Sequence, residues 1–112
     1  MTKKSLAEFE LLVMLALAKL GDDAGGASIR HEIEKNTGRE VAVGALYATL
    51  SRLGDKRFVC FTISNPRPTR GGRARKCFCL TAAGRDAVQQ SVSVLKRMMR
   101  GVDLAPESRL PT

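Results

Sequence analysis

The sequence predicts a mainly helical domain with one small β-hairpin, which is an α+β fold class. Apolar residues recur at helical spacing over most of the first 57 positions and again after position 81. Between these regions lie two short segments rich in β-branched and aromatic residues, separated by proline, glycine and arginine, as is typical of a hairpin. The chain has 112 residues, of which 44% are hydrophobic, so it can build one modest core.

Positive charge is distributed unevenly along the chain. There are 19 Lys and Arg residues against 11 Asp and Glu, a net charge of +8, and no acidic residue occurs from Lys56 to Arg85. A small basic domain favours a polyanionic partner, either nucleic acid or anionic lipid. No apolar segment is long enough to span a bilayer, so the sequence predicts a cytoplasmic protein with no membrane association.

The sequence lacks the residue combinations that catalysis or metal binding requires. The single histidine, His31, has no partner set around it, and the three cysteines do not have metal-ligand spacing. The glycine pair at 71–72 lies between strands and does not open a helix, so it is not a nucleotide-binding loop. We expect no enzyme activity, no metal and no cofactor. Cys60, Cys77 and Cys79 are expected to be reduced and structural, with a redox pair across the hairpin as the alternative.

Two amphipathic helices are expected before Gly38. The first has a capping-box pattern formed by Ser5 and Glu8. Its predicted inward stripe comprises Leu6, Phe9, Val13, Ala16 and Leu20. The second covers 28–37, begins with Ser28 as its cap, and ends where Gly38 supplies the usual glycine after a helix. The inward residues of the second helix are Ile29 and Ile33.

The segment Ala42–Arg57 predicts a third helix with two different sides. Three leucines recur at spacings of four and three, which places them together on the inward side: Leu46, Leu50 and Leu53. The front of the helix is expected to carry Ala45, Tyr47, Thr49 and Arg52. A short helix with an apolar back and a small, hydroxyl-bearing front can enter a DNA major groove. A plain amphipathic surface helix is the alternative.

Several residues of this helix have specific expected roles. Gly44 is a poor helix former, but it also lets the helix N-terminus lie close to a phosphate. Tyr47 either contacts DNA or packs in the leucine seam. Arg52 has the planar fork that suits O6 and N7 of guanine. Lys56 is a further candidate for DNA contact.

The segments 58–64 and 76–81 predict the two strands of the hairpin. Pro66 and Pro68 exclude a central strand between them, so a long basic tip joins the two. Alternation predicts core-facing side chains at Val59, Phe61, Ile63, Phe78 and Leu80. The tip and its edge supply basic residues that are expected to contact the DNA backbone or the minor groove: Arg67, Arg70, Arg73, Arg75 and Lys76.

A fourth helix is expected over Ala82–Gly101, with Thr81 as its cap. Apolar residues spaced by four and three form a heptad seam: Val88, Val92, Leu95, Met99 and Val102. This seam either packs on its own domain or pairs two subunits. We predict that it pairs subunits, with help from the first helix. The predicted dimer interface comprises Val88, Val92, Leu95, Met99 and Leu12.

The predicted element order is that of a winged helix-turn-helix with a C-terminal dimerisation helix. Two runs make a family resemblance specific, because residues 44–53 read GALYATLSRL and residues 78–85 read FCLTAAGR. On these runs the chain resembles PadR-like transcriptional regulators over about residues 8–88. The resemblance implies a dimeric DNA-binding repressor in which the third-helix tyrosine and basic wing residues contact DNA. Those roles fall on Tyr47, Arg73, Arg75 and Lys76.

The chain departs from the family pattern at three places. Arg57 stands where relatives have a glycine before the first strand, and Cys77 stands where they have a second aromatic residue. The C-terminal region has one helix where many relatives have more, so whether a small-molecule effector binds stays open.

We therefore predict a transcriptional regulator that binds a palindromic operator in double-stranded DNA as a homodimer. Helix 43–57 is expected in the major groove, with the wing 65–76 on the DNA backbone. The alternatives are a winged-helix module that binds protein or RNA, and a thiol-based redox-sensing regulator. The predicted organisation is a flexible arm at 1–5, a winged-helix domain at 6–81, a dimerisation helix at 82–102 and a flexible tail at 103–112.

Overall fold

The computed structural model describes residues 6–21, 24–64 and 75–104. Its elements in chain order are α1 (Glu8–Leu20), β1 (Ala24–Gly25), α2 (Gly26–Thr37), α3 (Val43–Asp55), β2 (Val59–Ser64), β3 (Arg75–Leu80) and α4 (Ala82–Met99). The predicted fold class, mainly helical with a small sheet, is confirmed. The predicted arm at 1–5 lies outside the described residues, as does all of the predicted tail except residues 103–104.

The sheet has three antiparallel strands in the order β1-β3-β2, where the sequence predicted only a two-stranded hairpin. Strands β2 and β3 pair from Val59 opposite Leu80 to Ser64 opposite Arg75. Ala24 of the additional strand pairs with Phe78. Two residues in a glycine-rich break carry no periodicity, so β1 has no signal in the sequence. It nevertheless makes β3 the central strand.

The core lies where α1, α2 and α3 meet the sheet. The three predicted α3 leucines are 0–3% exposed, and the two predicted α2 isoleucines are equally enclosed. On α1 the predicted Val13 and Ala16 are buried, but Met14 and Leu17 join them and Leu20 is 37% exposed. Because α1 packs against α2, α3, α4 and β3, its contacts extend well beyond one narrow stripe.

Two of the three predicted helix caps are wrong. Helix α1 begins after Ala7, whose backbone amide donates to the Glu10 carboxylate at 3.1 Å, so the predicted Ser5–Glu8 cap is wrong. Helix α2 begins two residues before Ser28, directly after β1. Thr81 caps α4 as predicted, because its Oγ1 accepts from the Gly84 amide at 2.9 Å.

A tight connection joins the end of α3 to the wing strands. Arg57 has a φ of 66°, the left-handed region that favours glycine and that costs other residues about 1–2 kcal/mol. Its backbone N–H donates to the Gly54 carbonyl at 2.9 Å, and its carbonyl accepts from Thr81 Oγ1 at 2.7 Å. In the first turn of α4, a Cβ on Gly84 would collide with the Phe58 carbonyl oxygen, so only glycine allows α4 to pack this closely against the backbone of Phe58.

Only the base of the hairpin lies on the core. Val59 and Phe78 are buried as predicted, but Phe61 and Ile63 are 54% and 59% exposed, so their predicted core positions are wrong. The strands extend beyond the core, and there the alternation of apolar and polar residues no longer predicts which side chains are buried. The Lys76 ammonium lies 4.2 Å from the centre of the Phe61 ring and partly covers it.

The cysteines on the hairpin occupy two different environments. Cys77 is 2% exposed, because the central strand places it between Gly25 of β1 and Thr62 of β2. Cys60 and Cys79 form a disulfide across β2 and β3. The expectation of reduced thiols is therefore wrong for this pair.

The heptad seam of α4 divides into two halves. Val88 is 9% exposed and Val92 packs partly buried against the same core, so the first half belongs to its own domain. Leu95, Met99 and Val102 are 51–54% exposed. The inclusion of Val88 in a subunit interface is therefore wrong, because intrachain packing already buries it.

Candidate nucleic-acid interface

Helix α3 presents a surface of mostly small residues to solvent, opposite its buried leucines. We define the α3 outer face as the exposed residues Gly44, Ala45, Tyr47, Ala48 and Ser51. Ala48 and Ser51 are absent from the predicted site. Their spacing of four and seven from Gly44 would have placed them at the centre of this face. A Cβ on Gly44 would meet no atom within 4 Å, so backbone at this end of the helix is open to a partner.

The predicted placement of Thr49 on the front of the helix is wrong. This residue is 2% exposed. It lies three positions after Leu46 and four before Leu53, so the helical period puts it on the leucine side. Its hydroxyl lies 3.2 Å from a guanidinium nitrogen of Arg52 and thus has a polar partner despite its burial.

The turn between α2 and α3 is fixed by two side chains of α2. Arg30 Nε donates to the Val41 carbonyl at 2.8 Å, and the Glu34 carboxylate accepts from the Val41 amide at 2.8 Å. Arg30 and Glu34 also pair with each other at 3.5 Å. Both backbone groups of the buried Val41 are thereby satisfied, which holds the start of α3 at a set angle to α2.

Tyr47 packs against the hairpin and α2, and part of its ring stays exposed. Its ring lies 6.2 Å from the Phe78 ring, centre to centre, so it packs on the base of the wing. A Cβ on Gly26 would collide with its hydroxyl, which shows that the ring also covers the first turn of α2. The side chain is still 43% exposed and available to a partner on the outer face.

A buried carboxylate on α1 forms ion pairs with the basic side chains on one flank of α3. Glu10 is 5% exposed, and it lies 3.2 Å from the Lys56 ammonium and 3.7 Å from Arg52 Nε. Arg52 is 58% exposed at its side chain, but it points to the flank next to α1 and away from the centre of the outer face. The structure thus pairs both predicted DNA-binding residues with Glu10.

The environment of Glu10 favours its charged form. Burial by itself raises the pKa of this carboxyl group. The hydrogen bond from the Ala7 amide and the ammonium of Lys56, with a smaller contribution from Arg52, outweigh that effect and hold the pKa below its ordinary value of 4.5. Glu10 is therefore a carboxylate at neutral pH that ties α1 to α3.

The wing supplies the second part of the predicted surface. Lys76 is exposed, next to the α3 outer face, and its ammonium lies over Phe61. The backbone of Arg75 opens β3 opposite Ser64. The predicted contacts Arg67, Arg70 and Arg73 lie outside the described residues.

A groove of about 480 Å³ separates α3 from the wing. Tyr47, Ser51 and Asp55 line it on the α3 side, with Phe61 and Lys76 on the strand side. The groove brings the outer face and the wing strands together as two walls of one surface. In the part of the chain that the structure describes, no cluster of His, Cys, Asp and Glu could hold a metal ion. The helices described there are too short or too polar to cross a membrane.

The fold is that of a winged helix-turn-helix transcriptional regulator. Residues 14–90 match the family described as the transcriptional regulator PadR-like family, and the chain belongs to that family. The resemblance seen in the sequence is thereby confirmed.

Solved structures show the same fold. A PadR-like transcription factor from Bacteroides fragilis has a TM-score of 0.71 at 24% identity, over 84% of this chain and 85% of that chain. A PadR family transcription regulator from Clostridium difficile R20291 has a TM-score of 0.65 at 25% identity, over 84% and 96% of the two chains. RosR of H. salinarum has a TM-score of 0.62 at 24% identity, over 95% and 86%.

A sequence relative occurs in a mobile element. An uncharacterized 37.1 kDa protein in transposon Tn4556 of Streptomyces fradiae is 33% identical over 86 residues, which is 76% of this chain. The chain spans only 23% of the length of that relative.

Replacing the buried carboxylate tests its role in joining α1 to α3. We expect Glu10→Gln to lower the free energy of unfolding by about 1–3 kcal/mol at pH 7, because Lys56 and Arg52 lose a charged partner. Since the folded-state pKa is depressed, the stabilisation is present above the unfolded value of 4.5 and is lost as the pH falls through the folded value. Urea denaturation of both proteins at neutral and acidic pH measures this difference.

Glu8→Gln on the same helix is the matched control. Glu8 is 77% exposed at its side chain and lies 3.6 Å from the Arg39 guanidinium, so its replacement should change stability by less than about 0.5 kcal/mol. Equal effects of the two substitutions, or a Glu10→Gln effect that persists at acidic pH, would contradict the assigned role of Glu10.

Proposed function

We propose that this PadR-like regulator represses transcription by binding a palindromic operator in double-stranded DNA as a homodimer. The α3 outer face enters the major groove, and the basic wing lies along the neighbouring backbone and minor groove. A dimer seated on an operator within a promoter excludes polymerase from that site, which is why we assign repression.

The observation that carries this proposal is the α3 outer face next to a long acid-free segment. Gly44, Ala45 and Ala48 are small and exposed, so the helix backbone can approach base edges closely. Ser51 adds a hydroxyl that can donate to or accept from a base. No acidic residue occurs from Lys56 to Arg85, so the wing attracts phosphate throughout its length.

The basic residues divide between base recognition and backbone contact in this proposal. Glu10 holds Arg52 and Lys56 on the flank of α3, where their remaining N–H groups can reach phosphate. Arg52 therefore acts as a backbone contact here and not as the guanine reader that its fork alone suggests. Tyr47 contributes its exposed edge while Phe78 fixes its ring.

The C-terminal half of α4 supports the homodimer. Leu95, Met98 and Met99 are 51–72% exposed. A groove of about 900 Å³ is lined by Val94 and Leu95 of α4 and by Leu6 and Leu11 on the α1 side. A second copy has the same exposed apolar face on its α4. In a two-fold symmetric dimer, the α4 helices of the two subunits therefore cover each other's apolar residues. Leu11 lines this groove, whereas the predicted contact Leu12 does not and packs partly buried against the core. The two α3 helices of such a dimer bind half-sites that are about one helical turn, or roughly 34–36 Å, apart.

Removing wing charge tests the DNA contact. Arg73→Ala with Arg75→Ala should weaken binding to duplexes of all sequences, because phosphate contacts carry no sequence information. The slope of log K against log salt should become shallower by about 2, since each phosphate contact contributes about one. Fluorescence anisotropy with a labelled duplex over a salt series measures this slope.

The control removes the same charge elsewhere. Lys19→Ala with Lys35→Ala takes two positive charges from the α1–α2 surface, where both side chains pair with Glu32. The salt slope should stay as in the original protein. A wing variant that keeps the full slope would place the DNA contact on another surface.

Charged substitutions on α4 test the homodimer. Leu95→Glu with Met99→Glu should give monomers in analytical ultracentrifugation, because four carboxylates would face one another across the two-fold axis. Gln89→Glu with Ser93→Glu has the same charge and spacing on another exposed side of α4 and should stay dimeric. If the first variant remains a dimer, the subunits pair through a different surface.

A further inference from the structure

The hairpin strands β2 and β3 carry a pair of cysteines whose geometry permits both a dithiol and a disulfide. Cys60 and Cys79 are direct cross-strand partners, with Cα atoms 5.3 Å apart, and they are bonded to each other. This Cα separation is within the usual range for a disulfide, so the bond needs no movement of the two strands. The ladder that holds the strands in register is continuous on both sides of the pair.

Solvent access distinguishes this pair from the third cysteine. Cys60 is exposed and Cys79 is partly exposed, whereas Cys77 is 2% exposed in the central strand. A small oxidant or reductant can therefore reach Cys60 directly, whereas the flanking strands β1 and β2 shield Cys77. On this ground we expect oxidation to act on the accessible pair and not on Cys77.

The pair also lies beside the surface that we assign to DNA. Cys60 is among the residues that line the groove between α3 and the wing, together with Ser51 and Asp55 of α3. The adjacent ladder pair, Val59 with Leu80, lies at the end of the hairpin next to the core. A bond at this level joins β2 to β3 at the base of the hairpin.

We propose that Cys60 and Cys79 form a redox modification site through which hydroperoxides strengthen DNA binding. This inference rests on the proposed function. The Cys60 thiol attacks the peroxide, the O–O bond breaks, and a sulfenic acid and an alcohol (water, when the oxidant is hydrogen peroxide) are formed. The Cys79 thiol then attacks the sulfenic sulfur, the S–S bond forms and water leaves. Two thiols are oxidised to one disulfide while the hydroperoxide accepts two electrons, and a dithiol reductant reverses the change.

The direction of the effect follows from chain entropy. A crosslink between β2 and β3 keeps the two strands from separating. Phe61 and Lys76, which lie on these strands and line the groove beside α3, are therefore held in place before DNA binds. We expect the oxidised form to bind duplex DNA about 3–10-fold more tightly than the reduced form, because preorganisation lowers the ordering cost of binding.

The test uses the full chain in two redox states. One sample is reduced with dithiothreitol and the other is treated with dilute hydrogen peroxide, and both are then freed of reagent. Mass spectrometry after alkylation under denaturing conditions counts thiols, and anisotropy with a fluorescent duplex of mixed sequence measures affinity at one fixed salt concentration. Oxidation should remove two alkylatable thiols and lower the Kd by about 3–10-fold.

Two variants separate the pair from the remaining cysteine. Cys79→Ser should bind like the reduced protein in both states, and Cys77→Ala should keep the full redox response. A thiol count that peroxide leaves unchanged, a disulfide that forms without any change in Kd, or a response that survives Cys79→Ser would each overturn the inference. If neither redox state binds duplex DNA, the proposed function fails, and the thiol count separately reports whether the pair oxidises.

Discussion

Burial of the leucine side of α3 is the constraint on which the rest of the molecule depends. Leu46, Leu50 and Leu53 are 0–3% exposed in a core shared with α1, α2 and the base of the sheet. Each side chain of this size contributes about 1.5–3 kcal/mol on burial, so rotation of α3 about its axis would be costly. Once these three positions are fixed inward, the helical period fixes Gly44, Ala48 and Ser51 outward. The composition of the α3 outer face is thus a consequence of the core.

Polar contacts then set the orientation that packing alone leaves adjustable. Arg30 and Glu34 hold both backbone groups of Val41, which fixes where α3 begins. Glu10 holds Lys56 and Arg52, which fixes the other end of the helix against α1. At the same end, Arg57 accepts a strained backbone conformation and its carbonyl receives the Thr81 hydroxyl, so the wing leaves α3 at a defined angle. These contacts lie outside the outer face and leave it open.

Periodicity predicted the elements well, and it failed where tertiary contacts decide. The leucine seam, Ile29, Ile33 and the Thr81 cap follow from spacing and residue type alone, and the structure confirms them. The spacing of Thr49 from Leu46 and Leu53 places it on the buried side, and its hydroxyl group does not indicate exposure. Phe61 and Ile63 alternate correctly, but the pattern does not report where the hairpin leaves the core. The pairing of Arg52 with Glu10, 42 positions earlier in the chain, has no local signal.

Methylation interference on a selected operator most directly tests whether the α3 outer face lies in the major groove. Duplexes that the protein retains from a random library would supply the operator. Methyl groups at guanine N7 project into the major groove, and methyl groups at adenine N3 project into the minor groove. We predict that guanine N7 methylation blocks binding in two symmetric half-sites about one helical turn apart. Interference confined to adenine N3, or its absence from both grooves, would contradict the insertion of α3 into the major groove.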